Sequence, residues 1–196
     1  MESRFLMEPV ADKKKAILES TLELVKENGF HGTPMSMVAK KAGVAAGTIY
    51  HYFDSKDRLI CELYSYVRQQ SIQAIVTVDD TTLPYQERFF AIWWSLYSFY
   101  INNPNVLRFF EQFVNSPYNA KMEEIRNDEF HKLLYCFFRG GIEQGHLRPV
   151  NPEILGVLVH GSIITTAKVY GSGKIPFGDE ELKQIAQILW DGISVQ

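Results

Sequence analysis

The stretch at 42–59, AGVAAGTIYHYFDSKDRL, sets the tightest limit on what this chain can become. Its smallest residues run straight into Thr48-Ile49-Tyr50-His51-Tyr52-Phe53. A helix written in that order approaches another surface closely at its start and buries rings at its end. Counted in helical steps, Ile49, Tyr52 and Phe53 share one face. Ala46, Gly47, Tyr50 and His51 share the other, with Thr48 beside them.

The residues just before it predict a partner helix. Thr33 is a good N-cap, and Pro34 suits a first helical position, where its missing N–H would have no acceptor anyway. The helix runs through Val38-Ala39 to Ala42, with Gly43 able to take the left-handed conformation that ends it. Ala39 is small where two helices cross, and Val44 fits the angle between them. Two short helices joined by GVA make a helix-turn-helix candidate. Ahead of it, Ile17, Thr21/Leu22 and Val25 mark a helix over 12–28, with Asp12 as its cap and Gly29 as its stop. Behind it, Asp54 and Ser55 break the pattern and cap a long fourth helix reaching about Val76.

The remainder is helical by the same test. After the turn VDDTTLP, residues 85–101 carry two apolar stripes, Phe89/Trp93/Leu96/Tyr100 and Phe90/Trp94/Tyr97/Ile101, so that helix is surrounded by others. Further helices are expected over Asn105–Val114, Tyr118–Gln144, Pro152–Tyr170 and Asp179–Ile193, with NNPN, NSP, GHLRPVNP and GSGKIPFG between them. No strand alternation is convincing. The expectation is an all-α chain of about nine helices: a helix-turn-helix head over 1–56 and a second helical domain over 57–196.

Charge and cysteine narrow the chemistry. Residues 1–60 carry a net +1 and the rest −4, so the head tolerates a polyanion without being a basic arm. Cys61 and Cys136 are far apart in apolar surroundings, which suits buried thiols of a reducing cytoplasm rather than a zinc or redox motif. The N-terminal MESRFLMEPVADKKK lacks the apolar centre of a signal peptide. The uncharged run Ile154–Ala167, with His160, Ser162, Thr165 and Thr166 inside it, is too short to span a bilayer, so no membrane is expected.

TPMSMVAKKAGVAAGTIYHYFDSKDRL resembles the DNA-binding segment of the TetR family of bacterial transcription regulators, as does ILESTLELVKENGFHGT before it. The match covers residues 13–63. It implies a repressor, released from a palindromic double-stranded operator by a small-molecule effector. Carried over by position, it implies that Thr33 caps the second helix and holds a phosphate. Ala46, Gly47, Thr48, Tyr50 and His51 then lie at the DNA, and Lys56 reaches the backbone. Two departures stand out: Ala45 cannot cap the reading helix, and Ala46 offers a base edge no hydrogen bond. Readout then leans on phosphates and DNA shape.

The excess of rings in the second domain suggests an apolar cavity for a flat or lipophilic ligand. Its expected residues are Tyr64, Arg68, Trp93, Trp94, Tyr97, Phe110, Phe113, Phe138 and His160. If those rings are instead solid core, a protein partner would control the DNA binding. Two heads need a homodimer, expected through Leu155, Val159, Ser162, Ile163, Thr166, Ile185, Ile188 and Leu189. Enzyme readings fail. YGSGK at 170–174 lacks the first glycine, the final Ser/Thr and the preceding strand of a phosphate loop. Glu124, Asp128 and His131 read as a solvated face rather than a metal site, and no cofactor is implied.

Overall fold

The computed structural model describes residues 8–123, 129–173, 175 and 177–195. Ten helices follow in order: α1 (Glu8–Asn28), α2 (Met35–Lys41), α3 (Ala46–Tyr52), α4 (Lys56–Val76), α5 (Tyr85–Asn102), α6 (Pro104–Val114), α7 (Pro117–Glu123), α8 (Glu129–Glu143), α9 (Pro152–Ser172) and α10 (Asp179–Ile193). Extended pairing among the described residues is limited to a bridge between Leu147 and Ser194. The all-α expectation holds. The single helix expected over 118–144 is described as α7 and α8, with 124–128 outside the described residues. Glu124 and Asp128 fall there, and so does Lys174 of YGSGK among the other omitted positions.

The chain forms two compact units. One holds α1 to α3, α4 as far as Val67, α6 from Asn105, and α7; the other holds α4 from Arg68, α5, α8, α9 and α10. The expected division at 56/57 lies at the start of α4, whereas compactness divides the chain inside α4 and groups α6 and α7 with the head.

In the first unit, α1 buries Ile17, Leu18, Thr21, Leu22, Leu24 and Val25. Thr21 remains satisfied because its hydroxyl donates to the Ile17 carbonyl at 2.7 Å. The end of α1 is held by side chains from three other segments. The Thr33 hydroxyl donates to the Gly29 carbonyl at 2.8 Å, Lys56 Nζ to the Phe30 carbonyl, and the Gln112 amide to the Val25 carbonyl at 3.2 Å. The α2–α3 turn follows from Gly43 at φ +67°, where the Val44 N–H reaches the Ala39 carbonyl at 3.0 Å and the Gly43 N–H reaches Lys40 at 3.3 Å. Those two bonds close a helix whose next residue must be left-handed, and glycine adopts that conformation without strain. Ser55 caps α4, its hydroxyl oxygen accepting from the Arg58 N–H at 3.1 Å.

In the second unit, α9 lies against α5 and α8, and α10 against α5. The inward stripe of α5 is Phe89, Ile92, Trp93, Leu96, Tyr97 and Tyr100, all buried. Tyr85 opens this helix stacked on Phe137 at 4.8 Å and on His146 at 5.1 Å, with its hydroxyl donating to the Phe137 carbonyl at 2.9 Å. Burial pushes its phenol up from the usual tyrosine range. The ring edge rests on Gly141, where an added Cβ would come within 2.4 Å of Tyr85 Cζ and Oη.

Four of the eight residues expected at the dimer face do not reach the surface of the second unit. Leu155, Val159, Ile163 and Thr166 are buried within the second unit, so they belong to its core. A helix apolar around most of its circumference does not reveal from sequence which stripe turns inward. The outward stripe is Ile154, Val157, Leu158, Gly161 and Thr165. On α10, Ile188 is 70 % exposed, while Ile185, Leu189 and, on α9, Ser162 are half-buried. By length and composition α9 is long and apolar enough to cross a membrane, although the uncharged run inside it is not. Its inward stripe is occupied by α5 and α8 instead. Of the two thiols expected to be buried, Cys136 is exposed.

Candidate nucleic-acid interface and aromatic core

The third helix is pinned from one side only. Ile49 and, just past its end, Phe53 are fully buried. Ala46, Gly47, Tyr50 and His51 are exposed, Tyr50 by 56 %, and Thr48 is half-buried. Nothing lies within 4 Å of where a Gly47 Cβ would stand, so the fold does not require glycine there. As the sequence implies, Ala45 supplies no side-chain cap. This face carries a methyl, a bare backbone, a hydroxyl, a phenol and an imidazole, groups able to contact phosphates and base edges.

Two residues expected at the DNA are turned inward. Thr33 is 1 % exposed and does not cap α2, whose N-cap position is Pro34 and carries no side-chain bond. Thr33 sits one residue too early, so its hydroxyl reaches back to the Gly29 carbonyl, just past α1. Lys56 is half-buried, with its ammonium on the Phe30 carbonyl rather than in solvent. A phosphate contact by Lys56 requires that bond to open.

The nine expected ligand residues divide between the units. Tyr64, Phe110 and Phe113 lie in the first, Tyr64 stacked on Phe113 at 4.5 Å and edge-on to Phe110 at 5.9 Å. The other six lie in the second. Trp93, Phe138 and His160 line a cavity there together with Phe89, Ile92, Leu96, Leu134, Phe137, Val159 and Ile163. Its volume is about 10 Å³, room for roughly one water. Trp93 stacks on Tyr97 at 5.5 Å and meets Trp94 edge-on at 5.2 Å; the Arg68 guanidinium lies 4.6 Å over the Phe130 ring. Three lining residues of α5 are not among the ligand candidates: Phe89 and Leu96 belong to a stripe legible in the sequence, and Ile92 falls outside both stripes. The signal was present but does not separate lining from core.

Two donors in this core stand out. Trp93 Nε1 and Tyr97 Oη are buried with no hydrogen-bond partner among the described residues. Burial raises the Tyr97 phenol, with Tyr170 and Asp179 adding to the effect. His160 is differently placed: its Nε2 lies 2.9 Å from Tyr100 Oη, and its ring 4.9 Å from that of Phe130.

Burial and, second, the Arg68 charge push the His160 imidazole down to about 3 from 6.5. The folded state therefore favours the neutral ring. Its contribution to stability is complete above pH 6.5 and declines as pH falls from there toward about 3, because the unfolded chain takes the proton first. Thermal melts between pH 7.5 and 4.5 should show that decline, and His160→Gln should flatten it. An unchanged acid limb in the variant counts against this.

A short helix closed by a left-handed glycine, then a second helix bare on one face, is the architecture of a helix-turn-helix head. Comparison with known proteins agrees along nearly the whole chain. Residues 17–63 match the family described as bacterial regulatory proteins, tetR family, and residues 84–194 match the tetracyclin repressor-like C-terminal domain. This chain belongs to the TetR family of DNA-binding transcriptional regulators. An HTH-type transcriptional regulator of Haemophilus influenzae is 31 % identical over 93 % of this chain and 96 % of its own length. A TetR family regulator from Marinobacter aquaeolei superposes with a TM-score of 0.88 at 24 % identity, covering 97 % of this chain and all of that one. Bacillus subtilis FadR, solved in complex with stearoyl-CoA, superposes at 0.77 with 22 % identity over 91 % of this chain and 98 % of its own. At those identities the two structures speak to the fold alone.

Proposed function

We propose that the chain is a cytoplasmic repressor that binds a palindromic operator as a homodimer and leaves it when a small apolar effector enters the second unit. The observation that carries the DNA half is the free face of α3. Ala46, Gly47, Thr48, Tyr50 and His51 point away from the core while Ile49 holds the helix in place. Thr48, Tyr50 and His51 serve as donors and acceptors to phosphates and base edges; Ala46 and Gly47 let the backbone come close. The dimer face in this reading is the outward stripe of α9 with Ile188, since five exposed apolar or small residues on one helix face are what a helix-pair interface buries.

The effector half rests on the apolar lining and the two buried donors in the second unit. The cavity is far too small for a drug-sized molecule, so the effector makes its own room. That is what a switch needs. A ligand that fits both states equally moves nothing, and one that fits only an opened core shifts the balance by its full binding energy. The near-solid core also supports a second reading, in which a protein partner replaces the small molecule.

The test is selection of bound fragments from a random DNA pool by the purified protein. A palindrome with half-sites about one helical turn apart, 34–36 Å, is the expected outcome. No enrichment overturns it. With that operator in hand, Tyr50→Ala and His51→Ala should each weaken binding by roughly 1–3 kcal/mol. Gly47→Ala should instead stabilise the head, by less than the roughly 1 kcal/mol alanine gains in a helix interior because Gly47 is the second residue of α3, yet weaken operator binding. Stability and affinity moving together in that variant would remove Gly47 from the interface.

A further inference from the structure

Buried donors without acceptors are rare, because each has lost its water and gained nothing in exchange. Here two occur on one helix, one turn apart, on rings stacked at 5.5 Å with planes 13° apart. Trp93 is fully buried and Tyr97 is 2 % exposed, so solvent does not satisfy them from outside. Trp93 also lines the cavity, whose other walls are aliphatic or phenyl apart from His160. Tyr100, the next tyrosine on α5, already has its hydroxyl against His160. The cluster is short of one kind of group, a hydrogen-bond acceptor.

We propose that Trp93 Nε1–H and Tyr97 Oη–H together hold the oxygen acceptor of the effector, a carbonyl or carboxylate on an apolar body, with that body spreading the slot between α5, α8 and α9. This rests on the small-molecule reading above and gives the ligand its chemistry. An indole N–H only donates, which excludes an ammonium end at this point. Tyr97, stacked on Trp93 though not itself on the cavity wall, adds a second donor one turn away, so the acceptor group of a ligand that spreads the core has two donors to satisfy, as the several lone pairs of a carbonyl or carboxylate can. The apolar walls take hydrocarbon or aryl surface and offer nothing to a sugar or a phosphate.

Three probes of one chain length separate the possibilities: decanoate, methyl decanoate and decyltrimethylammonium, each kept below micelle formation. In thermal shift and equilibrium titration, decanoate or its ester should stabilise the wild type, and the ammonium should not. Tyr97→Phe keeps the ring and removes one buried donor that lacks a partner. The free variant should melt at the same temperature or higher, and its affinity for the stabilising probe should fall about tenfold. Trp93→Phe should lose affinity similarly; its smaller ring makes it unsuitable for the stability comparison. Equal binding of all three probes to wild type and Tyr97→Phe overturns the acceptor assignment while leaving a small-molecule effector in place. A lower melting temperature for free Tyr97→Phe also overturns it, because the hydroxyl is then already satisfied inside the fold. If no probe stabilises a protein that still binds its operator, the small-molecule reading itself fails and the assignment with it.

Discussion

Val157→Glu should leave the chain folded and take away its operator. Val157 is 73 % exposed on α9, between Ile154 and Gly161 on the outward stripe. A carboxylate there touches nothing in its own protomer, so intrinsic stability should change by no more than about 0.5 kcal/mol. In a dimer built on this stripe, two such charges face one another in an apolar seam, where burying unpaired charge is prohibitive. The expected result is a monomer by light scattering at micromolar concentration. Operator affinity should fall on the order of 100-fold or more, because one head loses the effective concentration supplied by its linked partner. The melting temperature offers a second check. It should rise with protein concentration for the wild type and stay fixed for the variant. A dimeric Val157→Glu would move the interface elsewhere.

Gly141→Ala should be the most damaging single methyl in the second unit. The new Cβ would stand 2.4 Å from Tyr85 Cζ and Oη and 2.9 Å from Leu147 Cδ1. Tyr85 has no easy retreat, since Phe137 and His146 stack on it and its hydroxyl is tied to the Phe137 carbonyl. Overpacking of this kind costs about 1–3 kcal/mol. That outweighs the gain of up to about 1 kcal/mol that alanine brings to a helix interior. Urea titration of the variant should show a lower midpoint with an unchanged slope. The contrast with Gly47→Ala is instructive: the same substitution in a helix carries opposite signs, decided by whether a neighbour occupies the space. If Gly141→Ala proved neutral, the Tyr85 stack would be looser than described.

The head was legible because its constraints are local. Gly43 must be left-handed to end α2, and Ile49 with Phe53 must turn inward, so the free face of α3 follows by counting. Errors arose where a position one step away decides. The sequence makes Thr33 a plausible cap, but Pro34 takes that place and leaves the Thr33 hydroxyl to the Gly29 carbonyl, just past α1. For Lys56, no pattern in the sequence announces that a carbonyl 26 residues earlier holds its ammonium, so a phosphate contact there begins by opening that bond. On α9 the difficulty was of another kind. Both stripes are apolar, one for the core and one outside, and periodicity alone does not rank them. The ring-rich helices showed the same ambiguity. Their stripes foretold burial, while the unpartnered donors of Trp93 and Tyr97 emerge only from three-dimensional packing.

The clasp at the end of α1 has a mechanical meaning. The Val25 carbonyl of α1 is held from α6 by Gln112, and the Gly29 and Phe30 carbonyls just past its end by Thr33 from the lead into α2 and by Lys56 from α4. Those links make the start of α4 and the helix before the reading pair one stiff piece, with little slack between them. At 21 residues, α4 is a rod of about 30 Å. A tilt of about 5° sweeps its tip by roughly 3 Å, the length of a single hydrogen bond. In the proposed repressor, a rod that long would turn a small angle into a missed contact, leverage drawn from stiffness instead of slack.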